Sequence, residues 1–309
     1  MEMSDSRCPV CDYRISRWVM AERGYDIVEC PLCRLVYVWP RPNSQDLELF
    51  YEGRYADSWY DSAVAEWGRE ISLRRFSRYV KPLIERKASG RLLDVGCGYG
   101  FFLELMRPRG YETYGLDLNP KSVRYCNEVK NVDVRLGRIG DDLFPPGYFD
   151  IVTMWMVLEH VPEPGGAIAW ARRLLRPGGI ICIQVPNINS ARTKLVSFLS
   201  KDGRRLRPLL KTLRISANPG LLGPYALTLL DPPHHLQGFN VRALKELLLS
   251  QGFCDFAAYP AYTDRVKPLE NWARLAVFAP FLFLSVLNHE WQFMPSLIAL
   301  GRVAGKADS

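Results

Sequence analysis

The sequence lacks any apolar stretch long enough to cross a bilayer. Leu275–Leu287 runs thirteen residues without a charge and contains Pro280, whereas a spanning helix needs roughly 20; a buried or interfacial helix is the expectation there. Met1–Arg7 carries no basic patch followed by an apolar core and a cleavage site, so nothing in it directs secretion. The charge-rich, aromatic-poor signature of disorder is missing as well: 48% of residues are hydrophobic, 24% charged and 12% aromatic, which predicts a folded body. At 309 residues the chain exceeds one domain of about 150 residues. The expected compartment is the cytoplasm, with peripheral contact at the inner membrane surface as a further expectation.

Net charge is nearly absent from most of the chain. Between Arg192 and Arg214 lie eight basic residues and one acid, Asp202, so this stretch alone accounts for the net charge of +7. Leu195, Val196, Phe198, Leu199, Leu206, Leu209, Leu210 and Leu213 alternate with those cations. A local basic patch implies a local anionic partner: a phosphate-bearing substrate under a lid or a membrane surface, with a solvated face as the plainer reading.

Cysteine is scattered singly at 97, 126, 182 and 254 but paired near the start of the chain. Cys8-Pro9-Val10-Cys11 and Cys30-Pro31-Leu32-Cys33 form C-x2-C, eighteen residues, C-x2-C, the spacing of four-thiolate zinc sites. A redox pair or two disulfides are the rival readings, and two matched pairs in an otherwise cytoplasmic sequence favour zinc. Such a site is closed, so the metal is structural and catalysis lies elsewhere. The strands suggested by Trp18, Val19, Tyr25, Ile27 and Val28 carry too few apolar residues to bury a core of their own, so the metal is expected to supply much of the local stability.

Arg91-Leu92-Leu93-Asp94-Val95-Gly96-Cys97-Gly98-Tyr99-Gly100 reads as a short apolar strand running into a glycine-rich turn, followed by a helix from Phe101. A dinucleotide-binding loop needs a third glycine where Phe101 stands. The pattern is instead D-x-G-x-G-x-G. A second strand, Tyr111–Leu116, ends at Asp117, at the distance expected of an acid that holds ribose hydroxyls. Phe149–Val161 reads as a strand entering a turn, Ala167–Leu175 as a helix stopped by Arg176-Pro177-Gly178-Gly179, and Ile180–Val185 as a buried strand; this alternation predicts a doubly wound parallel α/β sheet.

These segments together resemble the class I S-adenosylmethionine-dependent methyltransferases, whose first motif has this form and whose fourth strand commonly leads into L-E-H-V, here Leu158-Glu159-His160-Val161. The resemblance implies a Rossmann-like seven-stranded sheet and S-adenosylmethionine as cofactor, bound by Asp94, Gly96, Cys97, Gly98, Gly100, Asp117, Leu118 and Met156. Asp94 would orient the methionine end through the loop and Asp117 the ribose. Val132–Ile139 would flank the adenine, although Arg138-Ile139-Gly140 stands where many relatives put an acid. Tyr37-Val38-Trp39-Pro40-Arg41-Pro42 and the segment Leu47–Tyr55 resemble the linker of zinc-ribbon methyltransferases that modify sugars and polysaccharides.

The expected organisation is a zinc ribbon at 1–42, a helical linker or lid at 43–88, the cofactor-binding core at 89–190, a basic amphipathic insertion at 191–235, and the rest of the core with an apolar helix at 236–309. In the linker, Trp59, Tyr60, Trp67, Ile71, Leu73, Phe76, Tyr79 and Val80 supply apolar faces that could cover the cofactor. Ser296–Val303 is expected as the last strand. Methyl transfer needs a positioned acceptor, excluded water and, for many acceptors, a base. His160 is the first candidate base because it stands at the edge of the fourth strand; His234 and His235 in Pro232-Pro233-His234-His235-Leu236 come next, and Glu159 could orient His160 or touch the methionine end. The expected acceptor is a sugar, glycolipid or related small metabolite, free or lipid-linked. An RNA methyltransferase is the alternative enzyme, weakened by the ribbon's near-balance of charges. A non-catalytic cofactor-binding subunit is the reading outside enzymes.

Overall fold

The computed structural model describes residues 2–4, 6–43, 45, 47, 49–50, 62–190, 229–261 and 296–305. The basic stretch from Arg192 to Arg214, the apolar run Leu275–Leu287, and Trp59 and Tyr60 lie outside the described residues. No helix among the described residues is long and apolar enough to cross a membrane.

The centre is a seven-stranded sheet built from β5 (Gly90–Val95), β6 (Tyr111–Asp117), β7 (Asp133–Leu136), β8 (Phe149–Trp155), β9 (Leu175–Pro186), β11 (Phe253–Ala261) and β12 (Ser296–Val303). Its order is β11-β12-β9-β8-β5-β6-β7. β5 to β9 run parallel, and β12 is antiparallel to both of its neighbours. Helices cover the sheet's faces, which is why β8, sequence FDIVTMW, is buried at every position. The chain visits β6 and β7 on one side of β5 and returns to β8 on the other, so the carboxyl ends of β5 and β8 flank the point where strand order reverses, the usual ligand crevice of such sheets. The third strand occupies Asp133–Leu136 within the strand-and-turn segment Val132–Ile139, and Gly137 N–H donates to the Asp117 carbonyl at 3.1 Å as the last rung to β6.

Two helices start on asparagine caps. Between β6 and β7, α4 (Pro120–Glu128) begins at Asn119, whose side chain accepts from the N–H groups of Lys121 and Ser122, with Pro120 at the first position. Later in the chain, α6 (Val241–Ser250) begins at Asn240, which accepts from Ala243 N–H. Ahead of the sheet lie α1 (Ser62–Tyr79) and α2 (Lys81–Arg86), and α3 (Phe101–Met106) follows β5; α5 (Pro164–Leu174) precedes β9. Phe76 on α1 packs against Phe102 on α3 and Trp155 at the end of β8, with ring centroids 5.2 and 5.4 Å apart. This linker helix therefore joins the core beside the crevice.

The N-terminal ribbon differs from a self-contained module. Its sheet is β1 (Glu2–Ser4), β2 (Ile15–Glu22), β3 (Tyr25–Glu29), β4 (Val36–Trp39) and, from the far end of the chain, β10 (Gln237–Gly238). Gln237 pairs with Tyr37 and Gly238 with Val36. Cys8, Cys30, Cys33, Leu35 and Tyr37 share one apolar core with Ile168, Phe239, Leu244 and Leu247. The short apolar strands thus bury themselves against the seven-stranded body rather than against each other. Polar contacts reinforce the joint: Glu22 accepts from the N–H groups of Leu229, Leu230 and Asp231 at 3.0, 3.2 and 3.0 Å. Arg41 donates to the carbonyls of Leu236 and Pro162 and to Gln237 Oε1.

Candidate functional site

The glycine loop leaves β5 at Val95 and turns back on β6, with Gly96 N–H donating to Leu116 O at 2.7 Å. Gly96 and Gly98 have φ of 69° and 53°, the left-handed region that side chains resist. At Gly96 a Cβ would stand 2.6 Å from Val157 Cγ2, whereas at Gly98 it would meet open space, so only the backbone demands glycine there. Gly100, also left-handed, caps α3, which Phe101 begins. The loop therefore lacks the dinucleotide geometry's third glycine, as the sequence predicts.

Two buried carboxylates stand at its base, and one of them holds it. Asp94 is buried in β5 and accepts from Thr153 Oγ1 of β8 at 2.6 Å; burial pushes its carboxyl up to about 8. Asp117, at the carboxyl end of β6, accepts from Gly98 N–H at 2.7 Å and Asn119 N–H at 2.8 Å, and burial raises its carboxyl too. Its visible work is to fasten the loop, a task the sequence did not reveal. Leu118 beside it is 46% exposed, an apolar shelf at the mouth. Cys97 lies in the loop itself, and the Cys126 thiol donates to Gly98 O at 3.4 Å from α4. The neighbouring Cys126 and burial push the Cys97 thiol well up.

Across the crevice Met156, the residue after β8, is a non-glycine residue at φ 58° whose N–H donates to Gln184 O at 2.8 Å. Buried polar atoms without hydrogen-bond partners among the described residues gather at these strand ends: Asn119 Nδ2 after β6, Trp155 Nε1 on β8 and Gln184 Oε1 on β9. Buried polar groups are ordinarily satisfied, so a ligand bearing donors and acceptors fits this crevice.

The next turn, Leu158–His160, carries two of the four candidate catalytic residues. The structure brings the other two to them, because Leu236 N–H donates to Glu159 O at 2.8 Å and Gln237 Nε2 donates to the carbonyls of Leu158 and Val161, both at 2.7 Å. His160 Nδ1 lies 2.6 Å from His234 O. The ring centroids of His160, His234 and His235 stand 4.5 to 4.9 Å apart, and the last two rings stack. Glu159 is fully buried beneath them. Neither of its carboxylate oxygens meets a hydrogen-bond partner from another described residue, and Oε1 is 3.8 Å from His160 Nε2. Burial pushes this carboxyl up to about 8. Gln237 and Glu22, which hold the histidine segment in place, carry no sequence signal, since neither belongs to a recognisable motif.

In the ribbon, Cys8, Cys11, Cys30 and Cys33 bring their sulfurs within 4.8 Å of one another. The Cys8–Cys33 and Cys11–Cys30 pairs are 3.5 Å apart, near the roughly 3.8 Å between sulfurs that tetrahedral coordination at about 2.3 Å requires. Each pair sits on a tight turn: Asp12 N–H returns to Cys8 O and Arg34 N–H to Cys30 O. The donor set fits a closed four-thiolate ion. Hydrogen bonds from Cys33 and Cys8 hold the Cys30 thiol far below its ordinary value.

A doubly wound sheet with an antiparallel β12, a glycine loop braced from β6 and a ligand crevice at the strand switch define a class I S-adenosylmethionine-dependent methyltransferase. The chain belongs to the methyltransferase-domain family, whose pattern it matches over residues 65–255, more than half its length. It is 37% identical over 109 residues to the ubiquinone biosynthesis O-methyltransferase of Thiobacillus denitrificans, a match covering 33% of this chain and 47% of that one. With the protein of the same name from Nitrosomonas europaea it shares 29% over 156 residues, covering 48% and 65%. The chain thus spans about half to two thirds of the length of these relatives. The crystal structure of a SAM dependent methyltransferase from Archaeoglobus fulgidus superposes with a TM-score of 0.50 at 21% identity, covering 82% of this chain and 99% of that one, a likeness of fold.

Proposed function

We propose that the protein transfers a methyl group from S-adenosylmethionine to a hydroxyl oxygen of a small acceptor at the mouth formed by His160, His234 and His235. The observation that carries this reading is the convergence of three imidazoles and a buried carboxylate beside the cofactor crevice, from segments some 74 residues apart in sequence. The names of the curated relatives, ubiquinone biosynthesis O-methyltransferases, favour oxygen as the methylated atom and do not name the sugar or glycolipid expected from the ribbon linker. The cofactor supplies a sulfonium-bound methyl group, which asks for an acceptor aligned in line and freed of its proton. Gly96, Gly98 and Asp117 would hold the cofactor's nucleoside end, with Leu118 under the base. Met156, by its fixed left-handed turn, would present its backbone to the methionine end. The histidine mouth would take the acceptor's hydroxyl and ease its deprotonation.

Two further readings belong to the same proposal. A zinc ion in the cysteine cluster is structural, and the acceptor carries an anionic group that the Arg192–Arg214 stretch attracts. Labelled methyl transfer to a catechol-type phenol, a sugar nucleotide, a lipid-linked sugar and RNA, with the product bond identified by mass spectrometry, tests the assignment. An O-methylated small molecule is expected. Methylation of RNA alone, or of carbon or nitrogen, overturns it.

A further inference from the structure

The four histidines of the chain are a scarce resource, and three of them stand in one cluster. Each offers a ring nitrogen such that all three lie within 4.8 Å of one another. A hydrophobic core or a turn does not require that arrangement, and three cations there would repel. Two observations point to a positive ligand between them. First, a carbonyl oxygen only accepts, so the 2.6 Å contact makes His160 Nδ1–H the donor to His234 O. This fixes the tautomer with the lone pair on Nε2, the second-shell pattern found around metal-ligating histidines. Second, Glu159 is entirely buried under the cluster, its oxygens lack hydrogen bonds from any other described residue, and Oε1 is 3.8 Å from His160 Nε2. Buried carboxyl groups ordinarily meet hydrogen-bond partners, and a cation beside this one would stabilise its ionised form.

We infer that His160, His234 and His235 bind a divalent transition-metal ion of the zinc class, a second metal site distinct from the cysteine cluster, with Glu159 as its buried counter-charge. Imidazole suits zinc, cobalt or nickel far better than magnesium or calcium, which take oxygen ligands. Four thiolates close the ribbon site, but three imidazoles leave a coordination position open, as catalytic sites do. The rings are only half-buried, so that position faces the mouth. The inference rests on the reading of this mouth as the acceptor site: the cation draws in the acceptor's hydroxyl oxygen and lowers its pKa, so its proton passes to solvent at neutral pH.

The test counts metal. Full-length protein prepared with zinc present should hold two zinc ions per chain by elemental analysis, and His234→Ala/His235→Ala should hold one. Cobalt substitution separates the sites: thiolate-to-cobalt charge-transfer absorption should persist in the variant while the ligand-field bands of the histidine site disappear. His160→Gln, a milder change, should weaken uptake of the second ion at least about 100-fold in a chelator competition. S-adenosylhomocysteine binding, measured by calorimetry, confirms that each variant is folded. One zinc per chain in the wild type, or two in the double variant, overturns the inference. If the wild type holds one zinc and still methylates hydroxyl acceptors, the metal site falls and the function stands. If it holds two and methylates no hydroxyl, the function falls and the site stands.

Discussion

His160 Nδ1–H donates to the carbonyl oxygen of His234 at 2.6 Å, joining the end of β8 to a segment far along the chain. The bond orients one imidazole and anchors the two that follow it. Replacing His160 by Ala should therefore lower kcat by about 100-fold to 10,000-fold while leaving S-adenosylmethionine affinity unchanged, because the glycine loop lies on other elements. Steady-state kinetics with calorimetry checks this; equal losses in kcat and cofactor affinity would reduce His160 to a support of the turn.

Asp117→Ala leaves the Gly98 and Asn119 N–H groups without their acceptor. An unsatisfied buried donor costs about 1–3 kcal/mol. S-adenosylmethionine affinity should fall at least tenfold, since about 1.4 kcal/mol is a factor of ten. Gly96→Ala should act similarly, its Cβ driven into Val157. Calorimetric titration of both variants decides, and full affinity in both would displace the cofactor from this loop.

The buried carboxyl of Asp94 makes stability depend on pH. In the unfolded chain it releases its proton near pH 4, and in the folded protein burial raises that to about 8. Between those values the native state holds the extra proton, so this group's contribution falls as pH rises across the window and reaches its lowest above about 8. Asp94→Asn stays neutral throughout. Its melting temperature should lose the part of the wild type's decline between pH 5 and 8 that Asp94 causes, measured by scanning calorimetry; an unchanged slope would mean Asp94 titrates normally.

Because Cys8, Cys30 and Cys33 share their core with Leu244 and Leu247, stripping the cysteine cluster should destabilise the whole body. A strong chelator, or Cys30→Ser, should lower the melting temperature on the order of 10 °C. The transition should stay single. A separate early transition, with the cofactor-binding transition unmoved, would restore the independent ribbon.

Arg204→Ala/Arg205→Ala/Arg207→Ala removes three of the eight cations between Arg192 and Arg214. It should weaken binding to anionic vesicles or a phosphate-bearing acceptor by about 1 kcal/mol per cation at low salt. Cofactor binding should not respond to salt. Cosedimentation at two ionic strengths measures the effect, and undiminished vesicle and acceptor binding would make the stretch a solvated face.

The strands, the glycine loop and the cysteine pairs were legible because each rests on local chemistry: period and burial for FDIVTMW, backbone freedom for Gly96 and Gly98, turn geometry for C-x2-C. The last strand, Ser296–Val303, falls at its expected bounds. What stayed hidden depends on contacts between distant segments. The pairing of Gln237–Gly238 with β4, the grip of Glu22 on 229–231 and the brace from Asp117 to Gly98 N–H each join residues whose types alone carry no message. The histidines were readable as candidates one by one, but only the fold makes them a cluster.

The strand shared between ribbon and body bears on how such proteins can diverge. His234 and His235 stand just ahead of Gln237–Gly238, and Glu22 and Arg41 of the ribbon half clasp the residues on either side of them. The N-terminal ribbon is thus part of the scaffold around the histidine cluster, so a ribbon transplanted from a relative would arrive with the wrong edge and misplace two imidazoles. Substitutions in the ribbon edge and in residues 229–240 should therefore come together, as compensating pairs, while the glycine loop drifts independently.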